Sequence, residues 1–228
     1  MIRLLNVLLL VFAVSAAVTA QDAKPEEKPA EKPKEETVDD VLKRIEAEHK
    51  EHKDFTGNFT QTKYLPAFDD KIESSGKFVF KKPDHVRWEY EKPHKSILVV
   101  TGETGKKWSE STGRTESFKL GDDKGLDAVV KQLFTWFKGE FTKLKDDYDV
   151  KITARKPITL SLTPKKEVVK KFIASIEVKF TEGEKEITSV KIIEPLEEGD
   201  EEAAYTLYEF KDTKLDSDVK DEEFEISK

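Results

Sequence analysis

Between Ser74 and Trp108 large apolar side chains recur at every second position. Ser74, Gly76, Phe78 and Phe80 fall on one face; Val86, Trp88 and Tyr90 fall on one face, with Arg87 and Glu89 on the other. Period-two alternation marks half-buried strands, and Pro83-Asp84, Pro93 and Gly102–Gly105 cut the run into segments joined by turns. A chain so patterned must form antiparallel strands with one apolar face, and another layer must cover that face.

The pattern continues on both sides. Phe55, Gly57, Phe59 and Gln61 give a strand over 55–64, and 72–81, 85–91, 96–101, 106–109 and 114–120 give the next five. After an interruption, Tyr148, Val150 and Ile152 alternate, as do Ile158, Leu160 and Leu162; 172–180, 187–193 and 204–210 follow, with Phe224 and Ile226 as a candidate closing edge. Two segments have helical spacing instead. Val38, Val41, Leu42 and Ile45 predict a helix over 37–53, with Thr37 and Asp40 as a capping pair. Leu126, Val129, Val130, Leu133, Phe134, Phe137 and Phe141 predict a second, beginning after Gly121-Asp122-Asp123, with an unusually bulky apolar face. Such a stripe is ordinarily core, and it equally suits a movable cover. The expected class is mainly β with α (α+β): a strongly curved antiparallel sheet, or incomplete β-barrel, of about 10–11 strands covered by a helical lid.

The ends of the chain carry different information. Met1–Ala20 has one charge, Arg3, then an apolar run from Leu4 to Val14 and small residues up to Ala20. This is the pattern of a cleavable export signal, its apolar run short of the ~20 residues of a comfortable membrane span. Gln21–Glu36 is Lys, Glu and Pro with almost nothing apolar, so it reads as a disordered linker. Residues 37–228 are expected to form a single domain with a sizeable core. The chain has no cysteine, so in an oxidising compartment burial alone must hold the fold. Its net charge of −7 gives no general attraction to nucleic acid or anionic headgroups. Expected localisation is therefore periplasmic, as a monomer that binds no nucleic acid.

Signals for chemistry are sparse. There is no Cys nucleophile and no G-x-S-x-G elbow. Gly102–Lys106 resembles a phosphate loop only superficially, since Val100 and Lys107 stand where Gly and Ser or Thr are needed; a hairpin turn explains its glycines. His49 and His52 lie three apart on the first helix among Glu48, Lys50, Glu51 and Lys53, which reads as a solvated charged face rather than a metal site. The expectation is a non-enzyme without cofactor or metal.

Particular residues carry a resemblance. Gly76-Lys77-Phe78, Lys82-Pro83-Asp84-His85-Val86-Arg87-Trp88-Glu89-Tyr90, Lys92-Pro93 and Ile97-Leu98-Val99 before Gly102 resemble the periplasmic outer-membrane lipoprotein carrier family, LolA. Phe59-Thr60-Gln61 is similar to the end of that family's first strand, Leu160–Lys165 to its mid-chain Leu-Thr-Pro-Lys, and Ala204–Phe210 to its penultimate strand. The resemblance implies an incomplete barrel with a helical lid over an apolar cavity. It implies acylated lipoprotein as cargo, an inner-membrane lipoprotein-releasing ABC transporter as donor and an outer-membrane acceptor. The chain departs from the pattern at Lys82, where the family has an Arg linked to hydrogen bonding between barrel and lid; Lys keeps the charge and loses the planar fork. The family's Pro-rich C-terminal end is replaced by Asp221-Glu222-Glu223-Phe224.

A carrier of this kind needs an apolar wall. The expected acyl-binding residues are Phe59, Phe78, Phe80, Trp88, Tyr90, Ile97, Val99, Leu160 and Leu162, under a lid of Leu133, Phe134 and Phe137, with Lys82 as the gating residue. A slip of one residue in any strand would turn the opposite set inward. Two further occupants suit the same concave sheet: another envelope lipid or glycolipid, or a protein ligand bound by a sensor domain.

Overall fold

The computed structural model describes residues 36–122, 130, 134 and 137–226; the expected export signal, most of the 21–36 linker and Leu133 lie outside them. Eleven strands form one antiparallel sheet: β1 (Asp54–Leu65), β2 (Asp70–Lys81), β3 (His85–Lys92), β4 (Ser96–Thr101), β5 (Thr104–Ser109), β6 (Arg114–Lys119), β7 (Tyr148–Arg155), β8 (Ile158–Pro164), β9 (Ser175–Phe180), β10 (Ile187–Ile193) and β11 (Tyr205–Leu215). Their order is β6-β5-β4-β3-β2-β1-β11-β10-β9-β8-β7. Two meanders thus join where β1 pairs with β11, Phe59 opposite Phe210 and Gln61 opposite Tyr208. Strands β6 and β7 are the free edges, so the barrel stays open.

The helix α1 (Val38–Glu51) forms as the sequence predicts. Thr37 accepts a hydrogen bond from the Asp40 amide, and the Asp40 carboxylate accepts one from the Thr37 amide, a complete capping box. Its stripe of Val41, Leu42 and Ile45 is fully buried against Leu160, Leu162, Ile176 and Phe180 of β8 and β9. Of the second predicted helix, Val130, Phe134, Phe137 and Lys138 are helical. Val130 and Phe134 complete a separate core with Phe55, Phe59, Phe78, Phe80, Val86, Trp88 and Val100 of β1–β4. The two helical segments therefore cover different halves of the sheet, and Phe210 touches both cores.

Three expectations need correction. Residues Phe172 and Ile173 precede β9, with Phe172 in a turn and largely exposed; the strand begins at Ser175. Phe224 and Ile226 add no strand. Phe224 ends a short helical turn, Asp221–Phe224, and packs with Val219 and Ile226 on Val79, Ile97 and Val99, forming a third apolar cluster outside the barrel. His49 is not on the wet face. It is 3% exposed, one turn beyond Ile45, against Phe55, Phe141 and Phe180.

Candidate functional site

Cross-strand register decides which side chains face inward. Val86 pairs with Val100, Trp88 with Leu98 and Tyr90 with Ser96, whereas Arg87 pairs with Val99 and Glu89 with Ile97. Side chains of directly opposed residues share a face. Leu98 and Val100 therefore join Trp88 inside, and Ile97 and Val99 pack outside on the C-terminal segment. The two β4 residues of the expected wall are thus one position out of phase. All of Ile97–Val100 is apolar, because the outer side of β4 is also covered; with both faces apolar, alternation carries no phase.

A cavity of about 1020 Å³ opens within the sheet. Its walls include Phe55, Phe78, Trp88, Tyr90 and Leu98 from one half and Ile176, Ile187, Val190, Ile192, Tyr208 and Phe210 from the other. Trp108 near one free edge and Tyr148 near the other border the same space, which requires strong curvature of the sheet. Phe137 closes over it, 5.0 Å from the Phe80 ring and 5.5 Å from the Phe78 ring between centroids.

The expected site residues separate into groups. Phe78, Trp88 and Tyr90 line the cavity with Phe137, and the edge of Ile97 also borders it. Phe59 and Phe80 lie in the core behind that wall, Phe59 stacked 4.2 Å from Trp88 and Phe80 packed on Phe134 and Phe137. Leu160 and Leu162 are fully buried beneath α1. Sequence reasoning missed Tyr208, Phe210, Val190 and Ile192. Their alternation was legible; their convergence on Trp88 depends on the non-local β1–β11 pairing.

Lys82 sits at the junction of the two halves. Its ammonium donates to the backbone carbonyl of His49 at 2.6 Å and of Lys50 at 3.3 Å, at the C-terminus of α1, and lies 6.0 Å from the Phe55 ring centre. Burial pulls its pKa below the ordinary lysine value. The His49 side chain lies close against Gly139 at the end of the other helical segment, since a Cβ on Gly139, whose φ is +71°, would lie 2.5 Å from the His49 Cβ. Among the described residues neither ring nitrogen of His49 has a hydrogen-bond partner. Burial, followed by the nearby His52 and Lys82 charges, brings its pKa down to about 4, so the ring is neutral at physiological pH.

Polar groups inside the cavity are few. The Tyr90 hydroxyl donates to Gln61 Oε1 at 2.5 Å. Burial raises the pKa of the Tyr90 and Tyr208 phenols, so they stay protonated. Charged residues gather elsewhere on the lining, with Lys107 paired to Glu116, Lys143 to Glu140 and Lys166 to Asp147. Among the described residues no group of His, Asp and Glu is arranged to hold a metal ion, and no helix is long and apolar enough to cross a membrane.

Solved structures of similar fold include a DUF1329 family protein from Desulfovibrio piger, with 11% identity and TM-score 0.45 over 82% of this chain and 95% of that one. A LolA superfamily protein from Nitrosomonas europaea matches at 10% identity and TM-score 0.40 over 81% and 97%. An outer membrane lipoprotein-sorting protein domain from Vibrio parahaemolyticus, described as putative, matches at 8% and 0.43 over 81% and 94%. A comparison with curated proteins finds no match. The model of the outer membrane lipoprotein carrier protein LolA matches residues 50–227, well over half of the sequence, and the chain belongs to that family.

Proposed function

We propose that this chain is a periplasmic carrier that shields the acyl chains of lipoproteins in its cavity and ferries them from an inner-membrane ABC transporter to an outer-membrane acceptor. The supporting observation is the apolar cavity of about 1020 Å³ between the two halves of an open sheet. It reaches the upper end of the ~300–1,000 Å³ typical of small-molecule sites. A methylene leaving a bilayer costs about 0.8 kcal/mol, so a chain of ~16 carbons costs on the order of 10 kcal/mol to hold in water. Only an enclosed apolar surface offsets that.

In this reading Phe78, Trp88, Tyr90, Leu98, Tyr208 and Phe210 touch the acyl chains, with Phe59, Phe80, Leu160 and Leu162 as the rigid backing. Leu133, Phe134 and Phe137 belong to the cover. Lys82 gates by tying the end of β2 to α1. The first 20 residues direct export, and delivery needs no cofactor. Mass spectrometry of material co-purifying with the chain from its native envelope tests the proposal. Acylated lipoprotein supports it, whereas another envelope lipid, an unacylated protein or an empty cavity overturns it.

A further inference from the structure

The exposed large apolar side chains of the described residues gather at one end of the sheet. Register fixes that end: Tyr64 lies opposite Tyr205, Tyr205 opposite Ile193, and Ile193 opposite Ser175. The connections β1–β2, β10–β11 and β8–β9 therefore emerge side by side. Phe68, Ile72, Leu196, Val168 and Phe172 all belong to these connections or to the strand end beside them. The cavity reaches the same end, where Lys166, Val169 and Ile173 border it.

The β8–β9 connection is built to hold this exposure. Glu167–Lys170 forms one helical turn. The Phe172 and Ile173 amides both donate to the Val169 carbonyl at 2.9 Å, and the Ala174 amide donates to the Ile193 carbonyl at 2.8 Å. Val169 and Ile173 border the cavity, whereas Val168 and Phe172, one residue earlier in each case, are 65% and 71% exposed. Lys165, Lys166, Lys170 and Lys171 surround them, with Glu167 as the one acid, in a chain of net charge −7. Asp149, Asp147 and Glu167 pair with Lys165, Lys166 and Lys170, and Lys171 has no such partner among the described residues.

One ring and one valine on a projecting turn offer little to a protein partner, whose stable interfaces cover ~800 Å² a side. The fluid hydrocarbon of a bilayer admits single side chains without a matched surface, and lysine stems reach from that depth to the lipid phosphates. We infer that the β8–β9 connection is a docking tip for a bilayer containing anionic lipid, with Val168 and Phe172 entering the hydrocarbon boundary and Lys171 and its neighbours meeting phosphate. Phe68 and Leu196 sit beside Asp69, Asp70, Glu197 and Glu198, and these acids leave the lysine-flanked turn as the part that inserts. The purpose of docking rests on the carrier reading: acyl chains would pass between bilayer and cavity along Val169 and Ile173 without crossing water.

The absence of cysteine permits a site-specific test on the purified full chain. The apolar run from Leu4 to Val14 would by itself hold that chain on vesicles, so the readout must be local. A polarity-sensitive dye is placed on Val168→Cys or, at the opposite end of the sheet, on Glu182→Cys in the β9–β10 turn. Vesicles of phosphatidylethanolamine and phosphatidylglycerol carrying brominated acyl chains should quench the dye at 168 and not at 182. Adding Phe172→Ser to the 168 reporter should lower the ratio of buried to exposed dye about tenfold or more, the size of one buried phenylalanine. Lys171→Gln should lower it about fivefold on these vesicles and leave it unchanged on phosphatidylcholine alone. No quenching at 168, equal quenching at 182, or protection of the dye by added protein but not by vesicles overturns the docking tip. Cavity binding of a fluorescent fatty-acid analogue, measured without vesicles, should be unchanged by Phe172→Ser. If the unaltered chain fails to bind that analogue, the carrier reading falls while the quenching result still decides the docking.

Discussion

The Lys82 ammonium lies 2.6 Å from the backbone oxygen of His49, and this contact joins the end of β2 to the end of α1. The last carbonyls of a helix lack intrahelical donors, and a cation there also meets the negative end of the helix dipole. The His49 side chain on the same residue abuts Gly139, so the junction touches both helical segments that cover the sheet.

Lys82→Met removes the donor while keeping much of the apolar stem. The two carbonyls are left without this partner, and the expected loss is about 1.5–3 kcal/mol, the range for a hydrogen bond to a charged group. Lys82→Arg should retain most of the stability, because guanidinium can donate to both carbonyls. Urea unfolding of the three proteins measures this. If Lys82 also gates, dye release from the cavity is faster in Lys82→Met than in Lys82→Arg; equal release rates would refute gating without touching the structural role.

His49 makes stability depend on pH. Its folded pKa is about 4 against 6.5 for an ordinary histidine, so the unfolded chain binds the proton more readily. Stability is fully present above pH 6.5 and declines as pH falls through 6.5 towards 4. The difference amounts to about 3 kcal/mol at ~1.4 kcal/mol per unit. His49→Phe keeps an aromatic ring in the site and cannot take a proton, so it should flatten the stability profile between pH 6.5 and 4.5. Urea midpoints measured across that interval provide the check, and an unchanged slope in the variant would assign the dependence to other groups.

How far the sequence reveals this arrangement depends on what each residue has on its two sides. Trp88 and Tyr90 alternate with the charged Arg87, Glu89 and Glu91 along β3, so their direction is legible. Ile97–Val100 has Trp88 and Val86 on one side and Val219 and Phe224 near the other, and no alternation survives to give its phase. His49 continues the stripe of Val41 and Ile45 at a spacing of four, a signal outweighed by the charges of Glu48, Lys50 and Glu51 beside it. The capping box at Thr37 is local and therefore readable. The meeting of Gln61 with Tyr208 spans most of the chain and follows only from strand order.

Backing and contact residues should respond differently to truncation. Leu160 is fully buried in the core under α1, so Leu160→Ala leaves a new void and should cost about 2–5 kcal/mol. Leu98 borders an existing cavity, and Leu98→Ala enlarges it at lower cost. Thermal or urea denaturation gives the stability difference, and dye affinity gives the functional one. Leu98→Ala should weaken binding more than Leu160→Ala at temperatures where both are folded. The reverse order would move the acyl contact to the α1 side of the sheet.

Asp54 anchors the segment that covers the outer face of β4. It is 5% exposed, and its carboxylate accepts hydrogen bonds from the amides of Ser217 at 2.7 Å and Val219 at 3.3 Å. Its backbone oxygen takes the Asp216 amide at 3.0 Å, while the Asp216 carboxylate receives His52 Nδ1 and the Lys53 amide. Farther along, Arg87 donates to the carbonyls of Glu223 and Glu225, and Phe224 and Val219 cover Val99. Asp54→Ala leaves the buried Val219 amide and the part-buried Ser217 amide without this acceptor, at a cost of about 2–3 kcal/mol. Its local effect is more diagnostic: the segment should detach while the sheet persists, so limited trypsin digestion should cut after Lys220 in the variant before it cuts elsewhere. Uniform digestion of the variant, with no early C-terminal cleavage, would show that Arg87 and the apolar contacts of Phe224 hold the segment without Asp54.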